Sequence, residues 1–143
     1  MSGRSAPRRE GVPLTFLIRG GVHSARRGGA TELSIRVRLT SYRSLPLSCI
    51  REIQVAIDGS DVQTGRITFV LDGHAYRLGE LGERTDLWWY ILDHAELRVA
   101  VDAPLPAGTH TVDGSLTTLV PFATGGRTTS TRTDRVQFEI EGP

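Results

Sequence analysis

The feature that most constrains this chain is an alternation of polar and apolar residues that recurs in several short segments. The clearest case is residues 32–39, which alternate without a break and place Leu33, Ile35, Val37 and Leu39 on one face. A period of two matches a half-buried β-strand, whose successive side chains point to opposite faces of the sheet. We therefore expect a protein built from strands that each bury one face.

Similar segments continue along the chain. Strands are predicted at residues 15–20, 32–39, 50–58, 66–78, 96–102, 109–120 and 135–141, the fourth segment being a hairpin that turns at Asp72-Gly73. Asp-Gly between alternating arms is a strong hairpin signal. Seven or eight strands at intervals of about 10 to 15 residues predict an all-β, single-domain antiparallel β-sandwich or flattened barrel. Helical periodicity is limited to one expected turn between Leu78 and Trp88.

The 143 residues correspond to one domain. Residues 1–12 are rich in Ser, Arg, Gly and Pro and lack apolar periodicity, which predicts a disordered Arg-rich tail before a β-sandwich domain at 13–143. Residues 123–133 are polar and are expected to form a loop. Residues 25–29 are rich in Gly and Arg and are expected to form a turn.

Composition excludes several function classes. All 17 basic residues are arginine, so this chain has no lysine for Schiff-base chemistry. The net charge is only +1 and the arginines alternate with acids, which argues against nucleic-acid binding. The single cysteine, Cys49, has no partner for an intramolecular disulfide, which favours a reducing, cytoplasmic location. No apolar run is long enough to predict a membrane span.

The candidate chemical groups are scattered. His23, His74, His94 and His110 show no HxH or HxxxH spacing, so no metal site and no cofactor are predicted in this chain. No histidine lies near Cys49 in sequence, and we interpret this residue as a small hydrophobe. No catalytic residue is therefore predicted.

The run Trp88-Trp89-Tyr90 permits three interpretations. On a strand, one of these rings must point away from its neighbours, so at least one is expected to be exposed or covered by another molecule. Core packing, a protein interface and sugar stacking all remain open at this point. Stacking beside the carboxylates of this region would suit a glycoside hydrolase, which needs two facing carboxylates.

The loop at residues 42–47 is unusually apolar. Loops are normally polar, so its leucines need cover either from the chain itself or from a partner. Tyr and Arg are enriched at interface hot spots. We expect this loop to form the centre of a partner interface, together with the tryptophan pair. The predicted interface residues are Tyr42, Arg43, Leu45, Pro46, Leu47, Trp88 and Trp89.

Four segments resemble a known family. YRSLPLSCIREIQVAIDG at 42–59, ITFVLDGHAYRLGEL at 67–81, RTDLWWYILDHAELRV at 84–99 and PLPAGTHTV at 104–112 are similar to the β subunits of bacterial C-glycoside deglycosidases. The resemblance covers roughly residues 14–122 and includes no catalytic residue. Neither the Arg-rich tail nor residues 123–133 are part of it.

The resemblance implies a function as a small accessory subunit in a hetero-oligomer. The implied partner is a larger, TIM-barrel-like α subunit that carries a divalent metal ion of the Mn or Mg type. The complex would act on a 3-oxo-C-glycoside and cleave the carbon–carbon bond to a flavonoid-type aglycone by elimination. The alternative is a stand-alone immunoglobulin-like module that binds carbohydrate or protein, and the connection at 103–112 is similar to one found in such sandwiches.

Overall fold

A computed structural model of the protein describes residues 15–27, 30–41, 44–101, 105–120 and 128–141, and structural statements below concern these ranges. The predicted disordered tail at 1–12 lies outside them. No helix in these ranges is long and apolar enough to cross a membrane.

The described residues form eleven strands and three short 3-10 helices. The strands are β1 (Leu17–Arg27), β2 (Ala30–Arg38), β3 (Leu45–Pro46), β4 (Ile50–Ile57), β5 (Ser60–Asp61), β6 (Ile67–Leu71), β7 (His74–Arg77), β8 (Trp88–Trp89), β9 (His94–Val101), β10 (Gly108–Val120) and β11 (Thr128–Ile140). The 3-10 helices span Leu47–Cys49, Thr64–Arg66 and Leu78–Glu83. Eight of these strands have four or more residues, which agrees with the predicted number. The expected helical turn after residue 78 is also confirmed.

The strands pair antiparallel in two main sheets. One sheet has the order β1-β2-β9-β6-β7, the other has the order β11-β10-β4-β5, and β3 pairs with β8 in a small third sheet. The sheets do not close into a barrel, so the molecule is a β-sandwich. Loop connections at each end of the sandwich therefore carry the surfaces available for function.

The core lies between the two sheets and follows the predicted alternation. Leu33, Ile35 and Val37 of β2 are fully buried, and the alternate residues of β4 that face them are buried as well. The predicted Asp72-Gly73 turn is present: both residues have positive φ, at 54° and 80°, as a two-residue hairpin requires.

Two boundaries differ from the prediction. β1 continues through residues 25–27, which were expected to be a turn, and β11 begins at Thr128, so residues 128–133 form a strand and not a loop. Both segments are polar and belong to edge strands, each of which hydrogen-bonds to one neighbour only. Backbone pairing, in register with β2 and β10, extends these strands where apolar periodicity gives no signal.

The sandwich has two distinct ends. β9 begins at His94 beside Arg38, and β4 begins at Ile50 beside Thr118; we call this the β3–β8 end. The opposite end holds the Asp58-Gly59 turn that joins β4 to β5; we call it the Asp58 end.

Candidate docking surface

The small β3–β8 sheet joins two segments that are far apart in sequence. Leu45 pairs with Trp89 and Pro46 with Trp88. The connection continues past the strands, since the backbone N–H of Leu47 donates to the carbonyl of Leu87 at 2.8 Å. The described part of the apolar loop and the tryptophan pair therefore form one structural unit.

Trp89 is the anchor of this unit. Its ring is 1% exposed and lies edge-on to Phe69, with the ring centroids 5.3 Å apart and the planes at 70°. Its indole N–H donates to the backbone carbonyl of Asp93 at 2.9 Å. A large aromatic ring that is buried with its one donor satisfied is a stable core residue, so the ring of Trp89 belongs to this chain's own core.

The residues around Trp89 are exposed. Trp88 is 44% exposed, and the segment that follows is exposed at Tyr90 (56%), Ile91 (37%) and Leu92 (88%). Within the described ranges, these four are the exposed large hydrophobic residues. We call Trp88 together with residues 90–92 the apolar turn.

The apolar turn is held by backbone hydrogen bonds. The N–H of Asp93 donates to the carbonyl of Tyr90 at 2.9 Å, and the N–H of Ile91 donates to the hydroxyl of Ser44 at 2.8 Å. Ile91 and Leu92 occupy the two central positions, which are usually taken by Gly, Asn, Asp or Pro. The backbone is already fixed with these apolar side chains pointing outward. A partner that covers them would therefore lose little free energy to ordering of this chain.

This arrangement has the chemical character of a protein-docking surface. Exposed apolar residues scattered singly are ordinary, but a contiguous group marks an interaction site. Trp and Tyr are also the residues most enriched at interface hot spots. The four side chains offer mainly apolar surface, so binding is the role that their chemistry supports.

The predicted interface residues separate into three groups. Tyr42 and Arg43 lie outside the described residues. Leu45 and Leu47 are 2% and 0% exposed, because β3 and the 3-10 helix after it fold them into the core. The chain itself thus covers these two leucines, which is the first of the two alternatives that the sequence left open.

Pro46, beside Trp88, is half-buried. Pro46 and Trp88 are therefore the described members of the predicted interface that keep exposed surface. The sequence analysis did not assign Ile91 and Leu92 to this surface. The signal available was the run of five large apolar residues at 88–92, too long for one face of a strand.

The titratable groups lie on several strands, and His23, Asp72, His94 and Glu96 line one cavity of about 280 Å³. His23, His74 and His94 lie on β1, β7 and β9, and within the described ranges no group of three or more His, Cys, Asp or Glu residues is placed to hold a metal ion. Cys49 is buried, and this burial raises the pKa of its thiol more than the charge of Arg51 lowers it. The thiol therefore stays protonated near neutral pH and packs as a small hydrophobe, as predicted.

Comparison with known proteins identifies the relatives of this chain. A model of the C-glycoside deglycosidase beta subunit family matches residues 17–122. The chain is 32% identical over 110 residues to the 3'-dehydrocarminate deglycosidase beta subunit of a Microbacterium species, covering 76% of this chain and 83% of that protein. It is 33% identical over 89 residues to a C-glycoside deglycosidase beta subunit of Microbacterium trichothecenolyticum, covering 62% of this chain and 67% of the relative. A C-glycoside deglycosidase beta subunit of Arthrobacter globiformis is 28% identical over 76 residues, covering 53% of this chain and 58% of the relative.

Proposed function

The chain belongs to the C-glycoside deglycosidase beta subunit family, and from this we propose that it is the small accessory subunit of a heteromeric enzyme that cleaves C-glycosides. The proposed partner is a larger α subunit with a TIM-barrel-like fold, which carries the catalytic groups. Family membership is the observation that carries the proposal, and the apolar turn supplies a surface for such a partner.

The proposed reaction is an elimination on a 3-oxo-C-glycoside. A ketone at C3 acidifies the proton at C2, which a base of the α subunit removes. The bond from C1 to the aglycone carbon then breaks, a C1–C2 double bond forms, and an acid delivers a proton to the aglycone carbon. A divalent metal ion of the Mn or Mg type in the α subunit would polarise the ketone oxygen.

The name of one relative supports the oxidised sugar in this proposal. The Microbacterium protein is named for a 3'-dehydro compound. We extend the same class of substrate to this chain, with an aromatic, flavonoid-type aglycone as the leaving group. The bond to be cleaved is carbon–carbon, so the reaction is that of a lyase.

This chain's proposed part is to dock and support the α subunit through the apolar turn, with Pro46 beside it. The four exposed large hydrophobic residues of the apolar turn flank Trp89 in sequence, and the buried ring of Trp89 anchors their segment. Apolar residues that form the fully buried centre of an interface contribute more free energy of binding than the polar rim. We therefore assign the main binding contacts to Trp88 and Leu92.

Co-expression tests the proposal. This chain is produced alone, with a barrel-type α subunit encoded beside it, and as a mixture of the two purified proteins. Release of free phenolic aglycone from a 3-oxo-C-glycoside is followed by chromatography, and complex formation by size-exclusion chromatography. We expect cleavage when both chains are present and none from this chain alone.

Two results would contradict the proposal. Cleavage by this chain alone would identify a catalytic site within it. Full activity and stability of the α subunit without this chain, with no complex formed, would remove the accessory role. Binding of carbohydrate by the isolated chain would then favour the stand-alone binding module.

A further inference from the structure

His110 makes an unusual pair of contacts at the Asp58 end, on the opposite side of the molecule from the apolar turn. Its side chain is 7% exposed. Nδ1 lies 2.6 Å from a carboxylate oxygen of Asp58, and Nε2 lies 2.6 Å from the backbone carbonyl oxygen of Pro106. The ring also packs against Phe138 on β11, with centroids 5.6 Å apart.

These two contacts determine where the protons are. A carbonyl oxygen only accepts hydrogen bonds, and an ionised carboxylate does the same. Both ring nitrogens must therefore donate, and only the doubly protonated imidazolium carries two N–H groups. A neutral ring would place one nitrogen lone pair against an oxygen lone pair at 2.6 Å.

The carboxylate of Asp58 is itself fixed. Its second oxygen accepts from the backbone N–H of Thr111 at 2.8 Å, and the N–H of Asp58 donates to the carbonyl of Thr111 at 2.8 Å. The turn at 58–59 is thus attached to β10 by three hydrogen bonds, of which His110 makes one. The contact to Pro106 differs from these three bonds, because it connects His110 to the 105–107 segment and not to the turn.

The 105–107 segment lies between two open cavities. One, of about 570 Å³, is lined by Leu105 together with Ile57, Val62 and Val101. The other, of about 830 Å³, is lined by residues 105–107 on one side and by β1 and the end of β11 on the other. A movement of this segment would therefore change the shape of both cavities.

The charged groups near His110 favour its protonated form. Asp58 from the turn and Glu139 from β11 both raise its pKa. Among the described residues, Asp61 and Arg66 line the cavity beside Asp58, whereas His23 and Glu141 line the cavity beyond Pro106. Arg66 also takes part in an interaction of its own.

We propose that His110 is a pH-dependent latch, which as an imidazolium ties the 105–107 segment to the Asp58-Gly59 turn and releases that segment when it loses a proton. In the neutral state, the carboxylate of Asp58 and the carbonyl of Pro106 compete for the one remaining N–H of the His110 ring. The carbonyl of Pro106 then loses its donor, and the segment is free to move between the two cavities. This inference rests on the contacts of His110 and is independent of the proposed subunit function.

The test follows His110 and the segment by NMR on the full chain between pH 5 and pH 9. Long-range proton–nitrogen spectra report the protonation of each ring nitrogen, and backbone nitrogen relaxation reports the mobility of Leu105 and Ala107. We expect both nitrogens of His110 to carry protons below a titration midpoint that lies above 6.5. The backbone order parameters of Leu105 and Ala107 should fall through the same midpoint.

Two variants make the result specific. Asn is favoured at the positive φ of residue 58, so Asp58→Asn keeps the turn and the bond from Thr111 while removing the charge. In this variant, we expect the midpoint of His110 to fall, and Nε2–H to remain on the carbonyl of Pro106. Asp113→Asn removes a carboxylate of similar kind, bonded to Arg135, and should leave His110 unchanged.

The proposal is overturned by either of two results. A midpoint of His110 at or below 6.5 would mean that the ring is not held as an imidazolium. Unchanged order parameters of Leu105 and Ala107 through the midpoint of His110 would mean that its protonation does not control the segment.

Discussion

The rings of Trp89 and Phe69 pack in an edge-to-face arrangement, with centroids 5.3 Å apart, and the indole N–H of Trp89 is bonded to the carbonyl of Asp93 at 2.9 Å. These contacts hold the segment at residues 88–93 from inside the sandwich. Because Trp89 points inward, Trp88 and Tyr90 on either side of it point outward. The exposure of Trp88 and Tyr90 is therefore a consequence of one buried ring.

The first prediction concerns Leu92, which is 88% exposed. Leu92→Asp should leave the melting temperature of the isolated chain unchanged but weaken binding to the α subunit by more than about 100-fold. The reason is that an unpaired charge buried in the complex costs about 3 kcal/mol or more. Affinity is measured by calorimetry or by surface plasmon resonance.

Thr133→Asp is the matched control, since it adds the same charge at an exposed position on β11. It should bind the α subunit as the unchanged chain does. Equal affinity of the Leu92→Asp variant and the control would place the interface elsewhere on the molecule.

The second prediction separates core from surface with two identical substitutions. Leu45→Ala removes a side chain that is 2% exposed and should lower the free energy of unfolding by about 2–5 kcal/mol. Leu92→Ala removes an exposed side chain and should change the free energy of unfolding by less than about 0.5 kcal/mol. Denaturant unfolding of the isolated chain provides both values, and a small effect at Leu45 would show that it does not belong to the core.

The third prediction uses the two tryptophans as separate reporters. Trp88→Phe leaves the buried ring of Trp89, so its fluorescence should be blue-shifted and resistant to acrylamide quenching. Trp89→Phe leaves the exposed ring of Trp88, whose emission should be red-shifted and readily quenched, and should become protected when the α subunit binds. No change in Trp88 quenching within the complex would exclude this residue from the interface.

Trp89→Phe should also destabilise the chain by about 1–3 kcal/mol, because the carbonyl of Asp93 loses its indole donor and part of the ring volume is lost. Trp88→Phe is the control and should be close to neutral. Thermal unfolding of the two variants makes this comparison.

The fourth prediction is a pH dependence of stability. Asp58 and the carbonyl of Pro106 raise the pKa of His110, so its stabilisation is fully present below its unfolded value of 6.5 and is lost as the pH rises through the folded value. The bonds to His110 and Thr111 lower the pKa of Asp58, so its stabilisation is present above 3.8 and is lost as the pH falls through the folded value. The contribution of this pair should therefore be greatest between these two unfolded values.

Denaturant unfolding from below pH 3.8 to above the midpoint of His110 measures the effect. The unchanged chain should lose stability as the pH rises through the midpoint of His110, whereas His110→Gln should lack that step. An identical alkaline slope in both proteins would assign the loss to other groups.

The sequence was sufficient to predict the sandwich and much of its core. Alternation at residues 32–39 and the Asp-Gly pair at 72–73 depend on local rules: the two-residue period of a strand, and the positive φ of the hairpin turn. Both appear in the structure as predicted. The polar strand at 128–133 was not predictable in this way, because backbone pairing with β10 holds it and its side chains bury little.

The candidate docking surface was likewise predictable from the sequence only in part. The sequence determined that the loop at 42–47 and the tryptophan pair contain more apolar residues than a surface connection normally holds. Only the tertiary structure decided which of them are covered, because burial depends on pairing across more than forty residues, Leu45 with Trp89 and Pro46 with Trp88. That pairing turns Leu45 and Trp89 into the core and leaves Trp88 and Leu92 at the surface. The imidazolium of His110 has the same origin, since the carboxylate that requires its charge lies 52 residues away in the chain and beside it only in the fold.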